Sequence, residues 1–497
     1  MMEGRLRLAR LFLSDIAAIF VNIDDVEVHN LRLLMNQPFG GDNFIANIVW
    51  QKKQSPQRDA SYLSDMHDHI LVYAKVATGG RTGSGGWQRQ LLAREEEQDN
   101  RYSNPDNDER GPWTSTDYTI NKTAEQRPNL YYPIVNPNIG EEVWPTRQRV
   151  WAFDKESSKR LATENRVWWG AKGTNFPRLK LFQSEVQSGV VPSTWWDRSR
   201  AGDNQEARRE LRSLFGVEED SFNTPKPSRL IKRILQISTT ADGRAVILDY
   251  FAGSGTTGHA VINLNREDGG NRKYILVEMG EYFDSVLKPR IRKVIYSKDW
   301  KDGRPVSREG TSHIFKYMTL ESYEDTLNNL SLRRTGVQDD LIESNAALRE
   351  EYMLSYMLDF ETKGSPSLLN LDAFEDPFSY KLDITRDDET RPANVDLVET
   401  FNYLLGLNVS RTYSSDGYRV VEGTNPAGER TLAIWRNTRE KSNDELDAFF
   451  EKQGYAGAGF GRVYANGDNT LALKAGDAKV HLIEEEFRRF MFETEGV

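Results

Sequence analysis

The feature that most constrains this chain is the segment LDYFAGSGTTGHAV, residues 248–261. An apolar run of strand length leads into a glycine-rich turn, and a helical pattern follows. Gly253, Gly255 and Gly258 spell G-x-G-x-x-G, and Glu278 stands 20 residues after the last of them, at the end of a second apolar run, KYILVEM. This order of strand, turn, helix and strand predicts half of a doubly wound α/β sheet whose turn holds a nucleotide-like cofactor.

The residues around the turn narrow the choice of cofactor. No G-K-[ST] follows, so an ATP-hydrolysing phosphate loop is excluded. NAD and S-adenosyl-L-methionine both remain. A pyrophosphate needs only backbone N–H groups and a helix N-terminus, whereas S-adenosyl-L-methionine carries a sulfonium, an ammonium and a carboxylate. Asp249 could serve the cationic end, and the helix start at Thr256 and Thr257 could serve the carboxylate, which favours S-adenosyl-L-methionine.

Composition excludes several other classes of site. The 497 residues contain no cysteine, so disulfides and thiol catalysis are excluded. Among the six histidines, His67 and His69 are interpreted as structural, and no metal site is expected. No apolar run approaches the roughly 20 residues of a membrane span, and no secretory signal is visible, which predicts a cytoplasmic protein without membrane contacts. The net charge of −10 argues against indiscriminate nucleic-acid binding but allows a locally basic surface.

The rest of the chain is predicted to alternate helices and strands around an irregular central stretch. Near the start, AAIFVNID, NFIANIVW and HILVYAK read as strands, and Asp24 and Asp25 are predicted to cap a helix. Residues 141–215 hold six of the eleven tryptophans and 14 Lys or Arg against 10 Asp or Glu. Aromatic residues among arginines suit a nucleic-acid surface, but on composition alone a tryptophan core is favoured.

Longer motifs resemble a known family. NTPKPSRLIKRIL, ILDYFAGSGTTGHAV and KYILVEMGEYF resemble the cofactor half of the beta-group DNA amino-methyltransferases, in which that half follows the catalytic half. With YSNPDNDERGPWTS, ENRVWWGAKGTNFPRLK and FEDPFSYKL, the whole chain resembles the modification subunits of type III restriction–modification systems. The resemblance implies a circularly rearranged, Rossmann-like, doubly wound methyltransferase sheet with an inserted target-recognition domain and a C-terminal α/β domain.

The resemblance also implies a domain order and partners. Residues 1–78 would be the end of the catalytic half, 79–218 the target-recognition region, 219–300 the cofactor half and 301–497 a domain for dimer or restriction-subunit contacts. The implied activity is site-specific methylation of adenine N6 in double-stranded DNA, on an adenine flipped out of the duplex. A homodimer and a type III restriction subunit are the expected protein partners.

Individual residues receive roles in the same way. Glu278 would hold the ribose, residues 224–227 would close over the methionine end, and the implied S-adenosyl-L-methionine pocket consists of Asp249, Phe251, Gly253, Gly255, Thr256, Glu278, Thr224, Lys226 and Pro227. DNA-binding candidates are Trp50, Lys52, Arg147, Arg149, Arg166, Trp168, Arg178, Trp195 and Arg198. For Trp50 a place in the core is an equally good interpretation.

One departure from the family pattern is serious. The family carries D-P-P-Y, whose oxygens and tyrosine hold the flipped base and make its amine nucleophilic, and this string is absent from the 497 residues. We therefore expect a subunit that has lost its front, through a misassigned start or a frameshift, and that leaves AAIFVNID without a neighbouring strand. Such a chain would bind cofactor without methylating DNA. The alternatives are a non-catalytic DNA-recognition or assembly protein that retains the cofactor, and an NAD-dependent oxidoreductase.

Overall fold

A computed structural model describes residues 2–56, 58, 60–77, 85–94, 100–186, 189–216, 222–329, 374–386 and 389–492. The chain has a mixed α/β fold and divides into two compact units, Met1–Ile314 and Phe315–Val497. None of the helices in these described ranges has the length and apolar character needed to cross a membrane. The finer division into four parts stays a prediction.

The first unit contains most of the short elements. Its helices are α1 (Met2–Phe12), α2 (Val28–Phe39), α3 (Lys155–Thr163), α4 (Arg198–Ala201), α5 (Asn204–Phe215), α6 (Ser228–Ser238), α7 (Thr256–Asp268) and α8 (Lys288–Tyr296). Its strands are β1 (Ala18–Ile23), β2 (Phe44–Gln51), β3 (His67–Ala74), β4 (Trp113–Asp117), β5 (Thr119–Ile120), β6 (Ile134–Val135), β7 (Glu142–Val143), β8 (Val150–Trp151), β9 (Val167–Trp168), β10 (Arg178–Phe182), β11 (Trp195–Trp196), β12 (Val246–Asp249), β13 (Lys273–Leu276), β14 (Trp300–Lys301) and β15 (Arg304–Pro305).

The three strands predicted near the start of the chain form one sheet. Its order is β1-β3-β2-β11, with β3 antiparallel to both β1 and β2, and β11 parallel to β2. Alternation along β3 divides its side chains between two faces. Leu71 and Tyr73 pack against α1 and α2, whereas Ile70 and Val72 pack on the other side with residues of α6. Both faces of this sheet are therefore covered by helices.

The start of α2 corrects a detail of the prediction. Helix α2 begins at Val28 and its N-cap is Glu27, without a side-chain cap. Asp24 instead accepts the backbone N–H of Glu27 at 3.2 Å, one turn before the helix. The two aspartates therefore belong to the loop between β1 and α2 and do not cap the helix.

The strands around the glycine turn form a separate pair. β12 and β13 are parallel, as a strand–helix–strand unit requires, and Ile247 and Tyr274 pack against α6 and α7. Helix α6 contributes to both cores, because Leu230 packs with the first sheet and Leu235 with the second.

The sequence predicts a single doubly wound sheet, but the structure has two separate sheets here, β1-β3-β2-β11 and β12-β13. Within the described ranges, β1 pairs only with β3 and β12 only with β13, so each strand keeps one unpaired edge. The open edge expected at AAIFVNID is therefore present. Val246, Leu248 and Ile275 lie on one face of the β12–β13 pair, and each is more than a third exposed.

The central stretch is built from small sheets around aromatic residues. The larger sheet has the order β4-β10-β9, and the pairs β5–β8 and β6–β7 flank it. Trp151 and Trp169 lie in the buried core with Tyr118 and Val167, so for these two tryptophans the core interpretation is correct. Buried Lys180 is bonded to Asp106 and to Asp108, the latter at 3.2 Å, which anchors the YSNPDNDERGPWTS motif to β10.

The second unit is a mixed sheet covered on both faces. Its helices are α9 (Tyr323–Asn328), α10 (Leu397–Leu404), α11 (Asn443–Lys452) and α12 (Ile483–Phe492), and its strands are β16 (Lys381–Arg386), β17 (Glu389–Asn394), β18 (Asn408–Ser415), β19 (Tyr418–Thr424), β20 (Arg430–Arg436), β21 (Arg462–Ala465) and β22 (Lys479–Leu482). Strands β18 to β22 form one sheet in chain order. Phe401 and Trp435 pack in the core of one face, and Leu432 and Phe449 in that of the other. The sequence of residues 323–360 predicts a helical stretch, and the part of it beyond position 329 lies outside the described residues.

Candidate active site

Each glycine of the turn is required either by its backbone conformation or by close packing. Gly253 and Gly255 have φ values of +53° and +80°, in the left-handed region that side chains rarely adopt. Gly255 is also the N-cap of α7. A Cβ at Gly258 would lie 2.6 Å from Ile291 Cδ1, so this glycine allows α7 and α8 to pack closely. The turn therefore presents backbone N–H groups at the start of α7.

Glu278 joins the glycine turn to the loop after β13. One carboxylate oxygen accepts the N–H of Gly253 at 2.7 Å. The other accepts the N–H groups of Met279 and Gly280, both at 2.9 Å, and the hydroxyl of Tyr282 at 3.0 Å. Burial and the bond to Glu278 raise the pKa of Tyr282, so this tyrosine stays a donor at neutral pH. The residue expected to hold a ribose thus already accepts four hydrogen bonds within the chain.

Asp249 and the two threonines are also engaged within the turn. Asp249 accepts the Thr257 hydroxyl at 2.5 Å and the N–H of Phe251 at 3.1 Å. Buried Thr256 donates to the carbonyl of Lys226 at 3.1 Å. These side chains hold the turn in shape, and the expected direct roles for the Asp249 carboxylate and the threonine hydroxyls stay predictions.

A fully buried arginine donates hydrogen bonds to side chains of the glycine turn. Arg290 of α8 donates from Nη1 to the hydroxyls of Ser254 and Thr256, both at 2.9 Å, and its Nη2 lies 3.5 Å from Glu210 Oε2. Burial lowers the pKa of Arg290 to about 10, so it remains charged at neutral pH. Burial raises the pKa of Glu210, and the charge of Arg290 partly opposes that shift. Glu210 also accepts from Ser228 at the start of α6.

Sequence reasoning missed this network of Arg290, Glu210 and their hydroxyl partners. Glu210 and Arg290 are 80 residues apart in the chain and belong to no motif. Only their burial reveals the role, and the charge of an arginine or a glutamate in an amphipathic helix gives no signal of burial.

A cleft of about 400 Å³ lies beside the residues predicted to close over the methionine end. Its lining consists of Asn22, Ile23, Asp24, Lys52, Lys53, Asp68, Asn204, Thr224 and Lys226. The first sheet and the residues that directly follow its strands supply six of these nine, because β1 ends at Ile23, the chain leaves β2 before Lys52, and Asp68 lies on β3. The volume is within the usual range of a small-molecule site, roughly 300–1,000 Å³.

One carboxylate organises the charge of this cleft. Buried Asp68 accepts from Lys52 at 2.8 Å and from Lys226 at 2.7 Å, and Lys52 is also bonded to Asp65. Although burial opposes it, the pKa of Asp68 is lowered, because the charge and hydrogen bond of Lys226 and the bond from Lys52 outweigh desolvation. The pKa of Lys52 is raised by its two carboxylate partners despite its burial. Asp68 and Lys52 are therefore both charged at neutral pH.

The remaining predicted cofactor residues lie around the same region. Thr224 is exposed and Pro227 is buried immediately before α6. Phe251 is 55% exposed and Met279, next to Glu278, is 88% exposed. An exposed apolar side chain thus lies two residues before Gly253 in the turn, and another follows Glu278 directly.

The aromatic DNA candidates separate into core and surface. Trp50 is fully buried and its indole N–H donates to the carbonyl of Gly202 at 2.9 Å, so the core interpretation is correct and a place beside a flipped base is wrong. Trp168 is partly buried and packs edge-to-face on Trp113. Trp195 is 53% exposed at the end of the first sheet.

Four of the five candidate arginines are bonded to neighbouring carboxylates. Arg149 and Arg178 share Asp117, each at 3.1 Å. Arg166 is bonded to Glu185, and Arg198 lies 3.4 Å from Asp203. The fifth, Arg147, is exposed.

Comparison with known proteins identifies a matching family and individual relatives. A family model described as DNA methylase, N6_N4_Mtase, matches residues 1–288. The type III restriction-modification enzyme StyLTI Mod subunit of Salmonella typhimurium is 35% identical over 275 residues, which cover 55% of this chain and 39% of that protein. The type II methyltransferase M.KpnI of Klebsiella pneumoniae is 30% identical over 302 residues, which cover 55% of this chain and 65% of that enzyme.

The likeness is partial in length and in shape. The chain spans 39% and 65% of the two relatives it matches. The crystal structure of an M1.HpyAVI–SAM complex is similar over 59% of this chain and 82% of that one, with 12% sequence identity and a TM-score of 0.24. A TM-score this low does not establish a common arrangement of the two sheets.

Proposed function

Because this chain belongs to the DNA methylase family, whose model matches residues 1–288, we propose that it is a modification subunit. In this proposal it binds S-adenosyl-L-methionine and directs methyl transfer to N6 of a flipped adenine in double-stranded DNA. The glycine turn bonded to Glu278, beside the charged cleft, is the observation that carries it.

The cofactor is proposed to bind across the turn between Phe251 and Met279. When bound, S-adenosyl-L-methionine supplies an electrophilic methyl group. The chain positions it by three means: the N–H groups at the start of α7, the Glu278 carboxylate and the flanking apolar side chains. Because Glu278 already accepts four bonds, ribose hydroxyls replace donors from the Met279–Tyr282 loop in this proposal. The carboxylate then keeps its bond from Gly253.

The cleft is proposed to receive the flipped base. Its place beside Lys226, in the segment that closes over the methionine end, brings base and methyl donor together. The amine of adenine is a poor nucleophile because its lone pair is delocalised into the ring, so it needs acceptors for its hydrogens.

The 497-residue chain by itself is therefore proposed not to methylate DNA. Removing one positioned donor or acceptor already reduces turnover by about 10²–10³, and the whole D-P-P-Y element is absent from the sequence. The main alternative, a DNA-recognition protein that retains cofactor without catalysis, makes the same prediction for the isolated chain. The two differ when a polypeptide carrying D-P-P-Y is supplied.

Residues 108–218 are proposed to carry the duplex contacts as an inserted domain of a circularly rearranged methyltransferase. Exposed Trp195 and Arg147 are the better candidates within this region, because the other arginines already neutralise neighbouring acids. The second unit is proposed to mediate a homodimer and contact with a type III restriction subunit. The family resemblance and the name of the StyLTI Mod subunit support this assignment.

Cofactor identity is tested by calorimetric titration of the full chain with S-adenosyl-L-methionine and with NADH. Glu278→Ala should weaken the first by about 1.5–3 kcal/mol, since hydrogen bonds to a charged group are lost. Glu281→Ala, an exposed glutamate three residues away, is the matched control. Binding of NADH without binding of S-adenosyl-L-methionine would exclude the methyltransferase.

Catalysis is tested by transfer of labelled methyl from S-adenosyl-L-methionine to mixed-sequence duplex DNA. The chain alone should give background counts, and adding a polypeptide that carries D-P-P-Y should restore transfer. Robust transfer by the 497 residues alone would mean that another group replaces D-P-P-Y. Binding of cofactor and DNA with no transfer even after the addition would favour the non-catalytic alternative.

A further inference from the structure

A cluster of possible metal ligands lies outside the cleft, where sequence reasoning expected none. His67 and His69 are alternate residues of β3, so their side chains extend from the same face of the sheet. Their ring centroids are 5.0 Å apart. Pairing of β1 with β3 sets Ile23 opposite His69, which brings Asp25 to the same place. One ligand atom from each of the three residues lies within 4.8 Å of the others.

The hydrogen bonding of His69 prepares one nitrogen for a ligand. Its Nδ1 lies 3.2 Å from the amide oxygen of Asn47 on β2, and an amide oxygen can only accept. Nδ1 therefore donates a proton to this oxygen, and Nε2 is the ring nitrogen left to face a ligand. Nε2 is buried, has no hydrogen-bond partner in the described part of the chain, and lies 3.5 Å from Asp25 Oδ1.

The Asp25 carboxylate and the buried Nε2 of His69 thus face each other without a hydrogen bond between them. This arrangement is unfavourable unless a cation lies between them. A histidine that donates its other ring N–H to an oxygen is also the usual second-shell pattern of metal-binding histidines. We propose that Asp25, His67 and His69 bind one divalent transition-metal ion of the zinc class.

The ligand set favours that class over calcium or magnesium. Two imidazole nitrogens and one carboxylate oxygen suit Zn²⁺, Co²⁺ or Ni²⁺, whereas Ca²⁺ and Mg²⁺ prefer oxygen ligands throughout. Tetrahedral zinc, with ligand bonds of about 2.0–2.1 Å, needs donor atoms about 3.3 Å apart. The pair His69–Asp25 is already near that separation. The Asp25 side chain is 68% exposed on a loop, so it can move to complete the site.

The ion would position the rim of the cleft and would not contact the cleft itself. Asp25 follows Asp24, which lines the cleft, and α2 begins three residues later. Asp68, between the two histidines in sequence, points to the opposite face of the sheet, towards Lys226. The ion would therefore fix the loop from β1 to α2 against β3.

The test uses the full chain without a histidine tag. Calorimetry with Zn²⁺ should give one ion per chain, and Co²⁺ should produce the visible absorption of a site with nitrogen ligands. Asp25→Asn and His69→Ala should each weaken Zn²⁺ binding at least about tenfold. His481→Ala, which removes a histidine lying 3.6 Å from Glu486 in the second unit, should leave binding unchanged.

Each alternative outcome is distinguishable. Because Asp25 is exposed, Asp25→Asn should fold normally, so a folding defect in His69→Ala does not obscure the result. No saturable binding by the unmodified chain would overturn the proposal. So would equal Zn²⁺ affinity in the unmodified chain and Asp25→Asn. If the NMR signals of His69 still show protons on both ring nitrogens at saturating Zn²⁺, the cation between His69 and Asp25 is a proton and the metal proposal is wrong.

Discussion

Replacing Arg290 by methionine should destabilise the first unit and make its stability depend on pH. The substitution keeps the long apolar stem but removes the guanidinium that bonds Ser254 and Thr256 and lies beside Glu210. Glu210 would then be a buried charge without its counter-charge. Breaking a buried pair from one side costs about 3–5 kcal/mol, and we expect the free energy of unfolding at pH 7 to fall by that amount.

The pH dependence follows from Glu210. Burial already raises its pKa above that of an exposed glutamate, and Arg290 opposes the rise. In Arg290→Met the pKa rises further, so the folded state binds more protons than the unfolded state. Stability must then fall as pH increases above the unfolded value of about 4.3. The deficit of the variant should therefore be small near pH 4 and largest at neutral pH.

Urea unfolding followed by tryptophan fluorescence measures this effect, because all eleven tryptophans except Trp435 lie in the first unit. Glu210→Gln is the control, and in the double variant the two changes should show a coupling of about 1–3 kcal/mol. A cost below about 1 kcal/mol that is constant from pH 5 to 8 would refute the assignment of Arg290 and Glu210 as a buried pair.

Three further outcomes test separate parts of the structure. Gly255→Ala should cost about 1–2 kcal/mol, because φ is +80° there, and calorimetry should show weaker cofactor binding. Lys226→Met leaves Asp68 with Lys52 alone, so the pKa of Asp68 should rise. A lowered carboxyl pKa stabilises the folded state at pH values above the pKa of the unfolded chain, so the variant should be less stable than the unmodified chain at pH 7. In urea titrations the difference in stability between the two should narrow below about pH 4. Ser442→Ala removes the capping box of α11 and should cost about 1 kcal/mol, measured as faster hydrogen exchange in that helix.

Sequence reasoning worked best where local pattern decides structure. The run LDYFAGSGTTGHAV forms β12, the turn and α7 as predicted, because strand, glycine and helix signals all lie within 14 residues. RTLAIWR, an apolar run that predicts a strand, forms β20, and IEEEFRRFMF, whose amphipathic pattern predicts a helix, forms α12. Whether β12 and β1 belong to one sheet could not be derived in this way, and in the structure they lie in two separate sheets. Strand neighbours depend on pairing between distant segments, and the described residues provide no strand between these two.

The candidate site shows the same limit for side chains. The motif located Glu278 and Asp249 correctly beside the turn, but it did not predict their hydrogen-bond partners. Hydrogen bonds between a side chain and a loop produce no periodic pattern in the sequence. Trp50 could be either core or surface by sequence, and its burial decided the question. His67 and His69 were interpreted as structural, because the predicted strand began at His69 and did not place His67 on the same face; in the structure β3 begins at His67.

Within the described ranges, β1 and β12 each have an edge without a partner strand, and these edges have a consequence for association. Their sequences, AIFVNI and VILD, contain a single charged residue, Asp249, so little electrostatic repulsion opposes the addition of a strand from another copy. A second copy that pairs one of these two strands with the first copy still has the edge of the other strand available for a third copy. Such a contact does not close, and growth need not stop at a dimer. Because Asp249 ends one of these edges, assembly would compete with ligands at the turn, and cofactor titrations should become weaker as protein concentration rises.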